Sequence, residues 1–210
     1  MNSLDDLKSS IIRQFGTPCS VIDLDIVESN IQRAQKICDA AGVANRPHIK
    51  THKSPVLAKM QINAGARGIT CQKLGEAEVM AKAGIDDILI ATNILGAARS
   101  GRLASLQKKL PLKVCADNHV SLQEYSKAAE AANRPLDVLI ECDTGQKRAG
   151  VEDAKEAASL VQSIIKNRFV KFWIFEKPLG QSLSDINYFN KKLFKKNSWV
   201  NLPRTNFKHY

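Results

Sequence analysis

The chain has 210 residues, with 31 Lys and Arg against 21 Asp and Glu, a formal net charge of +10, and 44% hydrophobic residues. This length suits one domain, or two very small ones, and the apolar content suffices for a sizeable core, so we do not expect a disordered chain. The sequence has no apolar run of about 18 residues, no secretory signal at its start, and no zinc or disulfide pattern among its five cysteines. We therefore expect a cytoplasmic protein without a membrane partner.

The composition changes abruptly near residue 167. Residues 1–167 hold all of the alanines and two aromatic residues, whereas residues 168–210 hold no alanine and ten aromatic residues. Residues 168–210 also carry nine basic and two acidic side chains, so most of the net charge belongs to them. We therefore expect residues 1–167 to form the folded body and residues 168–210 to form an atypical basic, aromatic-rich tail.

Short apolar runs alternate with stretches of helical spacing along the body. The apolar runs predict strands at 19–23, 46–50, 68–71, 87–91, 112–116 and 136–141, and a run at 170–172 predicts the start of one more. The intervening stretches predict helices at 26–41, 55–64, 75–83, 97–108, 119–132 and 152–166. Asp25 and Ser54 are the predicted N-caps of the first two helices, and Pro55 suits a first helical turn.

Unalternating strands separated by amphipathic helices favour parallel βα units with both sheet faces covered. A complete (β/α)8 barrel needs about 250 residues, and about five units fit before residue 167. We therefore predict an α/β fold, namely a partial barrel of the TIM type. An open doubly wound sheet is the alternative, although the absence of GxGxxG after any strand disfavours a dinucleotide-binding version.

Polar residues follow five successive predicted strands, at the edge where barrel active sites lie. They are Lys50, Gln72-Lys73, Thr92-Asn93, Asp117-Asn118 and Asp143. A functional edge requires such residues, although polar residues also end apolar strands and cap helices without any further role.

Basic and potentially catalytic side chains are most concentrated in RPHIKTHK at residues 46–53, which holds two histidines, two lysines and an arginine. In a strand, His48 and Lys50 would share one face and Ile49 would take the other. Burial at a barrel mouth and the neighbouring cations would lower the pKa of Lys50, which would supply the neutral amine that Schiff-base chemistry needs. A solvated cationic loop is the alternative.

The same stretch, preceded by TPCSVIDLD at 17–25, resembles the D-threonine aldolase and D-serine dehydratase group of pyridoxal-phosphate (PLP) enzymes, whose barrel is of the alanine racemase type. The segments TCQKLGEAEVMAKAGIDDILIA at 70–91 and ECDTGQKRAGV at 141–151 continue the resemblance, which covers about residues 15–167.

This resemblance implies a cofactor site. Lys50 would hold PLP as an internal aldimine, and Arg148 would lie beside the PLP ring and its phenolic oxygen. Gln72 and His48 would be cofactor-binding residues of the same pocket. His52 and Lys53 also belong to the motif, and they would shape the pocket rather than take part in catalysis.

The resemblance also implies an activity, that of a PLP-dependent aldolase or dehydratase whose substrate is a small D-β-hydroxy amino acid. It implies a divalent ion, Mn or Zn, bound by a late histidine with a cysteine or aspartate, and late-loop amides that hold the phosphate. After Lys166 the sequence has His209 as its one histidine and has no cysteine, so we identify no metal ligands. We expect a truncated or frameshifted reading frame with impaired activity and stability; a genuine basic helical tail is the alternative.

Three hypotheses that assign the protein to other functional classes stay open. A PLP-homeostasis barrel would bind PLP through the equivalent lysine without turnover, although TCQKLGEAE replaces the GEN-type segment of such proteins. An inactive fragment would expose strand edges and associate, for instance as a homodimer of half-barrels. Cations and aromatics interleave at 189–199, as in single-stranded nucleic-acid sites, but no RNP, KH or helix-turn-helix motif supports that partner.

Overall fold

A parallel α/β arrangement occupies residues 4–143 and 145–176, which are the residues that the computed structural model describes. Its helices are α1 (Leu4–Phe15), α2 (Leu24–Ala40), α3 (Pro55–Asn63), α4 (Leu74–Lys82), α5 (Ala97–Lys109), α6 (His119–Ala132) and α7 (Ala154–Ile165). Its strands are β1 (Ile69–Cys71), β2 (Ile88–Ile90), β3 (Leu112–Ala116), β4 (Leu136–Glu141) and β5 (Val170–Glu176). A single turn of 3-10 helix covers Ile49–Thr51.

The strands form one parallel sheet in the order β1-β2-β3-β4-β5. Each strand pairs with the next one in the chain, as Ile69 does with Ile88 and Val114 does with Val138. A doubly wound sheet reverses its strand order at a switch point, and the sheet within residues 4–176 has no such reversal. The order confirms the predicted barrel-type succession of βα units and excludes the doubly wound alternative.

The main core lies between the sheet and the helices on one of its faces. Strand residues such as Ile88 and Val114 are fully buried there, in the same cluster as helix residues such as Leu160. Because side chains alternate along a strand, the opposite face carries a second, smaller set of buried residues. These are Leu89, Cys115 and Leu139. We expected both faces to be covered, but the described helices contribute no residue to this second cluster.

The sheet is curved, as a barrel requires. The ring of Trp173, on β5, lies 5.9 Å from the guanidinium of Arg46, which precedes β1 at the other edge of the sheet. The Nζ atom of Lys113, on the central strand β3, lies 5.0 Å from the same ring. In a flat sheet, neighbouring strands lie about 4.8 Å apart, so several such spacings would separate β1 from β5. The cation–π contacts therefore cross the concave face of an arc.

Side-chain caps set where the helices begin. Ser54 accepts a hydrogen bond from the Leu57 amide at the start of α3, which confirms the predicted cap, and Pro55 occupies the first turn as predicted. The predicted cap at Asp25 is wrong. Asp23 has extended backbone and its carboxylate accepts from the amides of Asp25 and Ile26, so α2 begins earlier than expected.

The N-terminal region differs from the sequence expectation. The strand predicted at 19–23 is absent from the described structure, where Val21 and Ile22 are exposed and Asp23 already caps α2. Apolar residues alone do not make a strand when no neighbouring strand pairs with them. The amphipathic helix α1 was not predicted at all. None of the described helices combines the length and hydrophobicity that crossing a bilayer requires.

The strand predicted at 46–50 is also wrong in its second half. His48 makes one isolated parallel bridge with Thr70, and the Thr70 amide donates to the carbonyl of Pro47 over 2.8 Å. The chain then turns into the 3-10 helix, because the His48 side chain accepts from the Lys50 amide and caps that turn. Local side-chain capping of this kind competes with strand pairing.

The sheet continues beyond the change in composition. Strand β5 pairs with β4 from Val170 to Glu176, so the strand predicted to start at 170–172 is confirmed. The division of the chain at residue 167 into body and tail stays a prediction. Residues 177–210, which include the cations and aromatics at 189–199 and His209, lie outside the described residues.

A charged cluster fastens the motif segment to the sheet at the ends where the strands begin. The Asp87 carboxylate accepts from Arg46 Nη1 over 2.8 Å and from Lys113 Nζ over 2.7 Å. A Cβ on Gly68 would lie 2.5 Å from Arg46 Nη1, so only glycine leaves room for the guanidinium. Partial burial raises the pKa of Asp87, but the hydrogen bonds and charges of Arg46 and Lys113 outweigh it and hold the pKa below its ordinary value.

We predict that Asp87→Asn lowers the free energy of unfolding at pH 7 by about 1.5–3 kcal/mol, because Arg46 and Lys113 lose a charged hydrogen-bond partner. A carboxyl whose pKa is lowered by folding stabilises the fold above its ordinary pKa and loses that contribution as the pH falls through the lowered value. The difference between variant and parent in urea unfolding should therefore shrink towards acid pH. Asp86→Asn, at an exposed neighbouring carboxylate, is the control; an equal loss there would contradict the prediction.

Candidate active site

The polar residues predicted at the strand ends lie along one edge of the sheet, because all the strands run parallel. Neighbouring ends are linked by hydrogen bonds. The Thr92 hydroxyl, after β2, donates to the carbonyl of Gln72, after β1. Asn93 Nδ2 donates to Asp117 Oδ1, after β3, over 2.7 Å. The edge is therefore a connected layer rather than a set of independent caps.

His48 and Gln72 meet at the β1 end of this edge. His48 Nε2 lies 3.2 Å from Gln72 Oε1, and the Lys50 amide donates to His48 Nδ1 over 3.3 Å. Nδ1 can accept the Lys50 N–H only when it carries no proton itself. The second contact therefore requires the neutral tautomer with its proton on Nε2. Burial and the charge of Lys50 lower the pKa of His48, against the opposing effects of Gln72 and Glu76, which favours that neutral form.

Lys50 does not share the environment that the strand pattern predicted. Ile49 is fully buried, whereas Lys50 lies on the 3-10 turn and is exposed. The prediction that strand geometry buries Lys50 on the same side as His48 is wrong, because the turn at Ile49–Thr51 ends the extended backbone. Its side chain makes no hydrogen bond or ion pair with any described residue.

Glu76, in the first turn of α4, binds the second lysine of the motif. Its Oε1 atom lies 3.4 Å from Lys53 Nζ, and its Oε2 atom accepts from the amides of Gln72 and Lys73 over 2.8 and 3.3 Å. Lys53 also has a left-handed backbone, with φ +50°. The carboxylate thus fixes Gln72 and holds the Lys53 ammonium, so the two lysines of the motif differ in their surroundings.

Arg148 lies in the loop between β4 and α7, at the same edge of the sheet, and is exposed. The loop closes through a bridge between Cys142 and Val151, with the Asp143 amide donating to the Val151 carbonyl over 2.9 Å. The structure brings His48 and Gln72 together, but it shows no contact between either of them and Arg148 within the described residues. The assignment of the site residues stays a prediction.

Two residues of the edge were given no role by the sequence analysis. Glu76 follows Lys73 by three residues, which is capping-box spacing and could have indicated its contact with the Lys73 amide. Asp117 was noted only as a strand end, yet it accepts hydrogen bonds from three separate donors. Within the described part of the chain, no group of three or more His, Cys, Asp or Glu side chains is placed to hold a metal ion.

Known proteins match the chain over its described part. The family model for the alanine racemase N-terminal domain matches residues 22–175. A D-threonine aldolase of Arthrobacter sp is 42% identical over 146 residues, which cover 70% of this chain and 38% of that protein. A 3-hydroxy-D-aspartate aldolase of Paracoccus denitrificans is 38% identical over 143 residues, which cover 67% of this chain and 37% of that protein.

A solved structure agrees with these sequence matches. The crystal structure of D-threonine aldolase from Filomicrobium marinum superposes with a TM-score of 0.73 at 36% identity, and the match covers 76% of this chain and 43% of that one. The chain therefore spans less than half the length of these relatives.

We predict that the imidazole of His48 titrates below the ordinary pKa of about 6.5, because burial and the Lys50 charge disfavour its cation. Lys50→Gln should raise the pKa of His48 by removing the nearby charge, and Gln72→Ala should lower it by removing the hydrogen bond. Titration of the imidazole signals by NMR measures both changes. Lys59→Gln, at an exposed lysine of α3, is the control, and an equal shift there would contradict a local effect of Lys50.

Proposed function

Because the chain belongs to the alanine racemase N-terminal domain family, we propose that Lys50 holds PLP and that the protein acts as a PLP-dependent lyase on D-β-hydroxy amino acids. The relatives named above support this substrate class, since D-threonine and 3-hydroxy-D-aspartate are both D-amino acids with a hydroxyl on the β carbon. Membership of the family supports PLP as the cofactor, and residues at the strand-end edge are the candidates for binding it.

The observation that carries the assignment of Lys50 is the difference between the two lysines of the motif. Lys53 Nζ lies 3.4 Å from Glu76 Oε1, so this lysine already has a carboxylate partner. Lys50 is exposed at the strand-end edge, and its Nζ has no hydrogen-bond or ion-pair partner among the described residues. An accessible amine of this kind fits an aldehyde cofactor, because no carboxylate partner has to be displaced before the nitrogen attacks a carbonyl.

The neighbouring residues have proposed roles in binding and orientation. His48 caps the turn that carries Lys50, since its Nδ1 accepts from the Lys50 amide, and Gln72 orients the imidazole through Nε2. We assign Arg148 to a contact with the cofactor ring from the β4–α7 loop. When bound, PLP would supply an electron sink for cleavage of a bond at the substrate α carbon. The divalent ion that the resemblance implies is given no ligand among the described residues.

We predict that PLP becomes attached to Lys50. Incubation with PLP, reduction by borohydride and mass spectrometry of the peptides should find the phosphopyridoxyl group on the peptide that contains Lys50. Lys50→Ala should abolish this label, whereas Lys53→Ala should retain it because Lys53 is engaged by Glu76. A label that persists in Lys50→Ala and is lost in Lys53→Ala would reverse the assignment.

We predict that the PLP-loaded protein acts on D-threonine, D-serine or D-3-hydroxyaspartate and leaves the L-isomers unchanged. Aldol cleavage would release an aldehyde with the shortened amino acid, and dehydration would release an oxo acid with ammonia; both product pairs are measured with and without Mn²⁺ or Zn²⁺. Lys50→Ala is the inactive control. PLP attachment without turnover would favour the non-catalytic PLP-binding hypothesis, and turnover confined to L-isomers would contradict the proposed substrate class.

A further inference from the structure

Asp117 connects three strand ends through one carboxylate. Its Oδ1 atom accepts from Asn93 Nδ2, after β2, over 2.7 Å and from Asn118 Nδ2, after β3, over 2.6 Å. Its Oδ2 atom accepts from the Gly150 amide, in the loop after β4, over 3.1 Å. The carboxylate therefore joins the loop that carries Arg148 to the β2 and β3 ends of the sheet.

Gly150 is the point at which the loop is held. Its backbone has φ +102°, and a Cβ there would lie 2.5 Å from the amide nitrogen of Asp143, so only glycine fits. On the next residue, the Val151 amide donates to the Glu141 carbonyl over 2.9 Å. The end of the loop next to Arg148 is thus anchored to β4 by the backbone and to β3 by the Asp117 side chain.

The anchor lies close to Arg148 in the chain. Arg148 and Gly150 are two positions apart, and an extended chain spans at most about 3.6 Å per residue, so the Arg148 backbone stays within about 7 Å of the anchor. The part of the loop before Arg148 has a single described turn, in which the Gly145 amide donates to Asp143 Oδ1 over 2.7 Å. Where Arg148 lies therefore depends on how firmly Gly150 is held.

We propose that Asp117 is a positioning residue for Arg148: its carboxylate holds the Gly150 amide and thereby sets where the Arg148 guanidinium meets the cofactor. The proposal rests on the proposed function, because it takes Arg148 to contact PLP. Asp117 itself touches neither cofactor nor substrate in this role. Its effect on cofactor binding passes through the loop.

A carboxylate is the side chain that this position requires. Both of its oxygens accept and neither donates, so it satisfies three donors at once. An asparagine would turn an NH2 group towards one of these donors. The ends of β2 and β3 have a separate support, because the buried Tyr125 hydroxyl accepts from the Ile94 amide over 3.2 Å and donates to the Cys115 carbonyl over 2.8 Å. Loss of Asp117 should therefore loosen the loop without unfolding these strand ends.

The first test needs no cofactor. Hydrogen exchange of the full chain, followed by mass spectrometry at single-residue resolution, should show the Gly150 amide exchanging about tenfold faster in Asp117→Ala, as expected for the loss of one charged hydrogen bond worth about 1.4 kcal/mol. Exchange in β3 and β4 should be unchanged. Asp86→Ala is the matched control at an exposed carboxylate. Unchanged exchange in the loop of Asp117→Ala would overturn the proposal.

The second test separates a positioning role from a general loss of structure. PLP affinity is measured for the parent, Asp117→Ala, Arg148→Ala and the double variant, which form a double-mutant cycle. We expect Asp117→Ala to weaken PLP binding several-fold in the parent and to have no further effect once Arg148 is absent. An equal loss in both backgrounds would overturn the proposal. Failure of the parent to bind PLP would contradict the proposed function instead, and the exchange experiment alone would then decide whether Asp117 holds the loop.

Discussion

The burial of one face of a parallel sheet against α4–α7 decides which side chains of the sheet face the helices and which face the opposite side. Strand residues such as Ile88 and Val138 must point towards the helices, so alternate residues such as Lys113 and Asp137 must point to the concave face. Because the strands are parallel, and β1 to β4 are each followed by a helix, all strands end at one edge. The charged cluster around Asp87 and the polar strand-end edge are thus opposite ends of a single arrangement.

Carboxylates organise both ends of that arrangement, because they are the side chains that accept several hydrogen bonds without offering a donor. At the end where the strands begin, Asp87 neutralises two cations that the curved sheet brings together. At the opposite edge, Glu76 and Asp117 accept from backbone amides of loops, which would otherwise lose hydrogen bonds when they leave the strands. The same contacts that satisfy these amides place Gln72 and the Arg148 loop, so the stability of the edge and the geometry of the candidate site have a common physical basis.

The sequence predicted the elements whose boundaries are set locally. Strands β3 and β4 and helix α6 have the expected bounds, because a long apolar run or a capping residue such as Asn118 marks each of their ends. Segment 46–50 could not be predicted in the same way, since the competition between pairing with β1 and capping by His48 depends on a hydrogen bond that a pattern does not reveal. The family resemblance directed attention to Lys50, His48 and Gln72, but the contacts of Asp117 join residues up to 33 positions apart and follow only from the folded sheet.

The two lysines of RPHIKTHK illustrate what folding adds to a motif. In sequence they are equivalent cations three residues apart. In the structure, Lys50 is exposed on the 3-10 turn that His48 caps, whereas Lys53, which has a left-handed backbone, forms an ion pair with Glu76. The Glu76 carboxylate that pairs with Lys53 also accepts from the amide of Gln72, whose side chain contacts His48, so one acidic residue links the second lysine of the motif to the surroundings of the first.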